Sequence, residues 1–444
     1  MIKKRTILFS LFLLISAFLV FPNSFLPVVA SEDSWVTQNS VPFSGRFEIA
    51  VVNNNVYAIA KNQIAEYDVD LDAWTLKKNL PFNRTDFVLA VYNDLIYVID
   101  GNGGLNQVYD PINETWENKT SMPTPRTQLN ANVVNGKIYL IAGRTGGQKT
   151  TMDLNEVYDP ETDTWSTKKP IPYPVVGYAS AVVDNKIFVI GGQNEFHAPD
   201  TPLNIASTQI YDTETDTWSQ GALIPNIVFH GAAGATTGIN APKRIYVMGG
   251  INKGIEGCSF NQMYNPETDK WTTGVSRMPT ARAWLNVAVV NDLLYVLGGS
   301  PGLFLSFLGT NEQYTPVGFG TIAPTVQVVS PENMTYSSNN VSLVFTVSKP
   351  VEWMGYKIDN QETITITGNL TLPDNLSSGS HSLTVYVKDA FSNNGLSEVV
   401  SFNVIKKTDW FSFLIPILIM IAAVIIVLII YNQKFKKSKI TCEL

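Results

Sequence analysis

"VYDPETDTWS", residues Val157–Ser166, has four near-copies: "EYDVDLDAWT" from Glu66, "VYDPINETWE" from Val108, "IYDTETDTWS" from Ile210 and "MYNPETDKWT" from Met263. In each a Tyr precedes a Trp by seven residues, giving Tyr67/Trp74, Tyr109/Trp116, Tyr158/Trp165, Tyr211/Trp218 and Tyr264/Trp271. Two halves are left over. Tyr314 in "NEQYTPVGFGT" has no Trp after it, and Trp35 in "EDSWVTQNSVP" has no Tyr before it. Asp159 can accept backbone hydrogen bonds and Pro160 presets φ, so the stretch reads as a hairpin turn between a Tyr strand and a Trp strand. The alternating Asp68, Asp70 and Asp72 imitate the start of a calcium loop. The Gly and the distant Glu of that loop are missing, so the turn reading is preferred.

Working outward, an apolar hairpin precedes each Tyr, as in "ANVVNGKIYLIAG", "SAVVDNKIFVIGG" and "VAVVNDLLYVLGG". Two β-branched runs flank Asn, Asp or Gly turn residues. The second run tends to end in a glycine pair: Gly191–Gly192, Gly249–Gly250 and Gly298–Gly299. Each unit is thus four strands, and successive Trp residues lie 39, 42, 49, 53 and 53 positions apart. The ordered set of turn, glycine pair, Tyr and Trp resembles the kelch repeat, one four-stranded blade of a β-propeller, over Ser34–Gly320. The resemblance implies an all-β, six-bladed kelch propeller with the Tyr–Trp pairs and the glycine pairs as its repeat signature. The N-terminal strand around Trp35–Gln38 is expected to lie outermost in the last blade, beside Tyr314, so that no edge is left open.

Five segments are expected. Residues 1–30 read as a signal peptide: Lys3, Lys4 and Arg5, then an apolar run and "VVA" at Val28–Ala30. Residues 31–320 form the propeller. Residues 321–406 carry seven short strand-like runs without a cysteine pair, which suggests an Ig-like β-sandwich acting as a stalk; it resembles the membrane-proximal modules of prokaryotic, notably archaeal, surface proteins. Residues 410–431 are long and apolar enough to span a bilayer, with Trp410 and Tyr431 at the edges. Residues 432–444 are a basic tail expected on the cytoplasmic side, placing the rest outside the plasma membrane. The outer part holds 24 basic against 37 acidic residues, which disfavours nucleic acid as a partner.

Chemistry is harder to find. Cys258 and Cys442 are the two cysteines, too few for a disulfide framework or a Cys-based zinc site. The histidines are His197, His230 and His381. A copper centre of the galactose-oxidase kind built on His197 and His230 is unsupported, and no cofactor or catalytic residue is assigned. Sialidase-type Asp boxes are absent. A basic residue opens most repeats: Arg46, Arg84, Arg126, His230 and Arg282, with Gly177 in the fourth unit. These are expected to ring one mouth of the channel. Two readings stand: each is paired inside the scaffold, or together they bind an acidic glycan or a peptide carboxylate. Variable loops after the glycine pairs point to the same face, and "LFLSFL" within Ser300–Gly309 reads as a channel plug or a contact surface. Sequons occur at Asn83, Asn113, Asn118, Asn333, Asn340, Asn369 and Asn375. The expected function is membrane-anchored recognition or adhesion, with a cell-surface protein or glycan as partner. The alternative is an extracellular carbohydrate-active enzyme, since sialic-acid mutarotases are six-bladed kelch proteins.

Overall fold

The structure, a computed structural model, describes residues 31–43, 45–77, 85–145, 151–194, 203–303, 305–337, 341–373, 376–405 and 410–440. The expected signal peptide, Arg84, His197 and the sequons Asn83, Asn340 and Asn375 lie outside them.

Among the described residues, six four-stranded antiparallel sheets follow one another. Sheet 1 is Glu48–Val52, Asn55–Ala60, Gln63–Asp68 and Ala73–Lys77. Sheet 2 is Phe87–Tyr92, Leu95–Asp100, Asn106–Asp110 and Thr115–Lys119. Sheet 3 is Ala131–Val134, Lys137–Ile141, Asn155–Asp159 and Thr164–Lys168. Sheet 4 is Ala179–Val183, Lys186–Ile190, Thr208–Asp212 and Thr217–Gly221. Sheet 5 is Ala232–Ala235, Ile245–Met248, Asn261–Asn265 and Lys270–Thr272. Sheet 6 is Ala283–Val290, Leu293–Ser300 and Asn311–Thr315, and its outermost strand is Ser34–Gln38. The first strand of each sheet lies against that of the next, and the last adjoins the first. This arrangement is consistent with a kelch propeller.

Burial explains the composition of each strand. Second strands such as Lys137–Ile141 are packed on both faces, and so read as continuous apolar runs. Outermost strands such as Thr164–Lys168 expose most of their residues and keep only Trp165 and Lys168 partly covered. Each Trp ring lies 4.8–5.0 Å from the Tyr ring paired with it across the strands. The glycine pairs meet two demands. Gly298 has φ +66°, and a Cβ there would come within 2.5 Å of the ring of Phe47, just before sheet 1.

The Asp two residues before the Trp fastens neighbouring sheets. Asp216 accepts a 2.6 Å bond from the Tyr211 hydroxyl of its own sheet and a 3.0 Å bond from the Lys169 amide, just past the outer strand of sheet 3. Trp218 Nε1 donates to the Lys169 carbonyl at 3.0 Å. The same three bonds recur with Asp72, Tyr67, Trp74 and Asn39. They recur with Asp163, Tyr158, Trp165 and Thr120, and with Asp269, Tyr264, Trp271 and Ala222. In sheet 6 the Tyr is Tyr314, while the Asp and Trp are Asp33 and Trp35 from the other end of the chain, fastened to Ser276. Trp35 faces Tyr314 in the strand register.

Sheet 2 departs from this pattern. Trp116 faces Tyr109 in the register and packs on it at 4.9 Å, as the repeat requires. Yet among the described residues neither the buried Trp116 Nε1 nor the Tyr109 hydroxyl has a hydrogen-bond partner. The reason is local: Glu114 stands where the other units have Asp. Its φ of +51° matches the +53° of Asp163, but its carboxylate sits one methylene farther out and does not accept from Tyr109. The residue that would match Thr120 or Lys169 is Lys78, just past sheet 1 and outside the described residues. Among the described residues Trp116 thus packs as its counterparts do but makes no fastening bond.

Residues 326–404 form nine strands in two sheets around a shared core that includes Leu343, Tyr356, Val385 and Phe402. The seven runs expected from sequence are all strands. Thr335–Tyr336 and Asn394–Leu396 are additional, too short to carry a periodic signal. The "KDAFSNNG" segment is a turn in which Asp389 accepts the Phe391 and Asn393 amides and pairs with buried Lys349. The final helix runs Trp410–Ile440, longer than the expected span, because the tail contains good helix formers and no breaker. Its Leu414–Lys434 stretch is long and apolar enough to cross a membrane.

Candidate ligand-binding mouth

The strand registers sort the basic residues into two positions. Ala283 pairs with Ser300, Phe229 with Ile251, Val176 with Gln193 and Thr127 with Arg144. Trp284, His230, Gly177 and Gln128 therefore stand opposite Gly299, Gly250, Gly192 and Gly143; the first three are the second residues of glycine pairs, and Gly143 follows Ala142 in the same place. The registers of sheets 1 and 2 put Arg46 and Asp86 at the same place, opposite Lys61 and Gly101. Arg126 and Arg282 lie two positions earlier. Grouping His230 and Gly177 with Arg126 and Arg282 is thus corrected by the structure. The grouping followed side-chain charge, whereas position is decided by hydrogen-bond register.

Arg126 and Arg282 are enclosed, with 1% and 0% exposure. Arg126 donates to the Ala142 and Leu140 carbonyls and pairs with Glu156. Arg282 donates to the Val296 carbonyl and pairs with Glu312 at 2.5 Å. In sheets 4 and 5 the positions of these arginines hold Val175 and Val228. There Gln209 and Gln262 replace the glutamates and bond the backbone of Tyr173 and Asn226. In sheets 3 to 6 arginine thus occurs with glutamate and valine with glutamine, as expected when the guanidinium's partner is inside its own sheet.

The second position forms the mouth. Gly177 N–H donates to Gln128 O at 3.0 Å, His230 N–H to Gly177 O at 2.6 Å and Trp284 N–H to His230 O at 2.8 Å, so the backbone bonds run from sheet to sheet. All four residues have φ between +51° and +59°. For non-glycine residues this conformation costs of order 1–3 kcal/mol and persists only where the surroundings impose it. The imidazole of His230 lies over Gly177, where a Cβ would meet it at 2.7 Å, and stacks on Trp284 with centroids 4.7 Å apart. Arg46 bridges two carboxylates, Asp86 at 3.0 Å and Glu48 at 3.2 Å.

Below the ring is a cavity of about 220 Å³ lined by residues of all six sheets. Its polar side chains include Glu48, Gln128, Asn130, Asn132, Ser180 and Asn286. Burial raises the Glu48 pKa above the ordinary carboxylate value, against the opposing charge and hydrogen bond of Arg46. Burial also drives His230 down to about 3, assisted by the charges of Arg46 and Arg144, so the ring is neutral. Of the expected basic ring, Arg46 and His230 line this cavity, and Arg126 and Arg282 do not. Asp86, Gln128, Trp284, Glu48 and Asn132 escaped the sequence reading. Counting back across each hairpin from its glycine pair would have aligned the first three.

Leu303 packs on Phe229, Ile251 and Ala283, while Leu305 is 56% exposed. The described residues of that loop do not line the cavity. Among the described residues no cluster of three metal-ligating side chains occurs. His381 belongs to the sandwich, bonded to Asp359 and the Ser377 carbonyl. The described sequons Asn113, Asn118, Asn333 and Asn369 are exposed.

First strands start at the mouth, so third strands, which run in the same direction, end on the opposite face. The chain leaves sheet 6 there after Thr315, and Gly320 N–H donates to Asn240 O at 2.7 Å on that face. The Gly320 carbonyl accepts from Asn393 of the sandwich, and Phe319 meets Phe391 edge-on at 5.5 Å. The sandwich therefore joins the propeller away from the mouth.

Residues 88–299 match the family described as the KLHDC2/KLHL20/DRC7 kelch-repeats domain. A solved structure titled "Structure of YjhT" superposes with a TM-score of 0.52 at 16% identity, covering 62% of this chain and 96% of that one. No curated protein matches the chain. The family match and the structural likeness support a kelch β-propeller, a fold that suits a protein-interaction scaffold.

Proposed function

We propose that this chain is a single-pass surface protein whose six-bladed kelch propeller binds a cell-surface protein or glycan, with an Ig-like module lifting it from the membrane. The observation that carries this reading is the polar axial cavity, which opens on the face opposite the linker to the anchor. A mouth so placed points away from the bilayer, where a partner outside the cell can reach it. Loops rising beside it, including exposed Ile255 and Leu305, supply further contact surface. The exposed sequons suit a glycosylated surface protein.

The test is a screen of the full chain against glycans and surface proteins, repeated with Arg46→Ala and Leu305→Asp. A partner bound at the mouth is expected to lose about tenfold or more in affinity, because truncating a central charged contact or burying a new charge costs on the order of 2 kcal/mol. A partner that binds both variants as tightly as the parent would overturn the reading.

One observation favours a second reading. Glu48 lines the cavity, and burial raises its pKa, the direction expected of a carboxyl that transfers protons. An extracellular sugar mutarotase or epimerase would use it so. Anomerisation of a sugar panel, abolished by Glu48→Gln, would favour this over pure binding.

A further inference from the structure

We infer that His381 is an acid-closed clasp in the sandwich. With both ring nitrogens protonated it ties the end of the strand Trp353–Ile358 to the segment before Gly379, and on losing one proton it releases that segment.

The geometry calls for an imidazolium. His381 Nδ1 lies 2.8 Å from Asp359 Oδ2, and Nε2 lies 2.8 Å from the Ser377 carbonyl oxygen. A carbonyl oxygen can only accept, and so can an ionised carboxylate. A neutral imidazole carries one N–H, so it serves one of these oxygens and turns a lone pair on the other. Water does not relieve the conflict, because His381 is 4% exposed and its ring packs on Phe402 with centroids 5.6 Å apart. Asp359 is itself held in place. Its Oδ1 accepts the Ser382 amide at 2.8 Å, and its own amide donates to the Ser382 carbonyl at 2.8 Å.

Among the described residues Asp359 is the charged group that faces the ring. Lys357 pairs with Thr384 and points to the other face of the sheet. The strand Val400–Val404 sets Phe402 opposite His381, flanked by uncharged Ser401 and Asn403. Tyr336 meets Phe402 edge-on. The strands Val326–Ser330 and Ser342–Val347 of the facing sheet hold no charged residue. The electrostatics follow the geometry. Against desolvation, the Ser377 carbonyl and the Asp359 carboxylate raise the His381 pKa above 6.5. Against desolvation, the Ser382 amide and the His381 ring hold the Asp359 pKa below 3.8.

A raised folded pKa contributes stability that is complete below the unfolded value and lost as pH rises through the folded one. The clasp is therefore closed in mild acid. Above its midpoint the remaining proton stays on Nδ1, since a bond to a charged acceptor is the stronger. Nε2 then opposes the Ser377 carbonyl, and the segment before Gly379 loses its tie. Gly379 pairs with Val404 at the end of the last strand before the final helix, so the loosened segment borders the chain's exit from the sandwich.

The test uses the full chain in detergent with isotope-labelled histidine, followed by NMR from about pH 5 to about pH 9. The chain has three histidines, and His381→Gln identifies the signal. Should that variant not fold, Asp359→Asn identifies it by its shift. Expected are two protonated ring nitrogens in mild acid, a midpoint above 6.5 and an Nδ1–H tautomer beyond it. Asp359→Asn is expected to lower the midpoint. Amide exchange over residues 376–380, corrected for its intrinsic pH dependence, is expected to be about tenfold faster above the midpoint than below it, one hydrogen bond's worth. In His381→Gln that difference should vanish. A midpoint at or below 6.5, a single N–H in mild acid, or equal corrected exchange on both sides of the midpoint would overturn the inference. So would a midpoint that Asp359→Asn leaves unmoved.

Discussion

At the scale of single residues, the two aspartates of "YDPETDTW" do different work. The first, as in Asp212, accepts amides inside its own turn from Glu214 and Thr215. The second, as in Asp216, accepts from a buried Tyr and from the next sheet. Asp216→Ala should therefore cost about 1–3 kcal/mol, since it leaves the Tyr211 hydroxyl without its acceptor. Asp212→Ala should cost no more than ~1 kcal/mol, because its turn is exposed. Urea denaturation of the two variants checks this, and equal losses would refute the fastening role. The Tyr, the Trp and the turn were legible because they repeat at fixed spacing. The role of the second Asp was not, because its partner amide sits in a different repeat. For the same reason the Tyr109/Trp116 pair looked like the others, although Glu114 changes what it can bond.

At the scale of strands, the N-terminal segment joins the two unpaired halves noticed at the outset. Ser34–Gln38 pairs with Asn311–Thr315, and Asp33 supplies the fastening that Tyr314 would otherwise lack. A chain lacking residues 31–39 should lose several kcal/mol of propeller stability, since a strand ladder, a packed Trp and the Asp33 bonds go together. Calorimetry of that truncation beside the parent gives the answer, and coincident melting transitions would contradict it. The same scale explains why the basic ring divides. Arg126 and His230 look equivalent by charge, yet the pairing of each hairpin puts them two positions apart and gives them opposite surroundings.

At the scale of the whole molecule, turn bonds and sheet fastenings alike use ionised carboxylates. Asn113 holds the Asp110 pKa below 3.8, Lys137 does so for Asp159, the Thr215 amide for Asp212 and the Tyr211 hydroxyl for Asp216. A depressed folded pKa contributes stability that is present above the unfolded value and lost as pH falls through the folded one. The melting temperature should therefore hold from neutral pH to about 4 and drop steeply below it. Melts between neutral pH and 2 measure this, and a flat profile would show that these bonds add nothing to the fold.

The sequence by itself determined the repeat, the strand order within each unit, the ring closure, and the apolar stretch near the C-terminus. These are set by local periodicity and by turn chemistry, which act over a few neighbouring residues. Only the tertiary structure decided which residues face the axis, which arginines are sealed by glutamates, and which face carries the linker. Those properties depend on register between strands and on contacts across sheets, where residues distant in the chain meet. The mouth of Arg46, Asp86, Gln128, Gly177, His230 and Trp284 has no shared side-chain type. What unites its members is a position opposite the end of each second strand, where three of the units carry a glycine pair, and position of that kind exists only once the strands are paired.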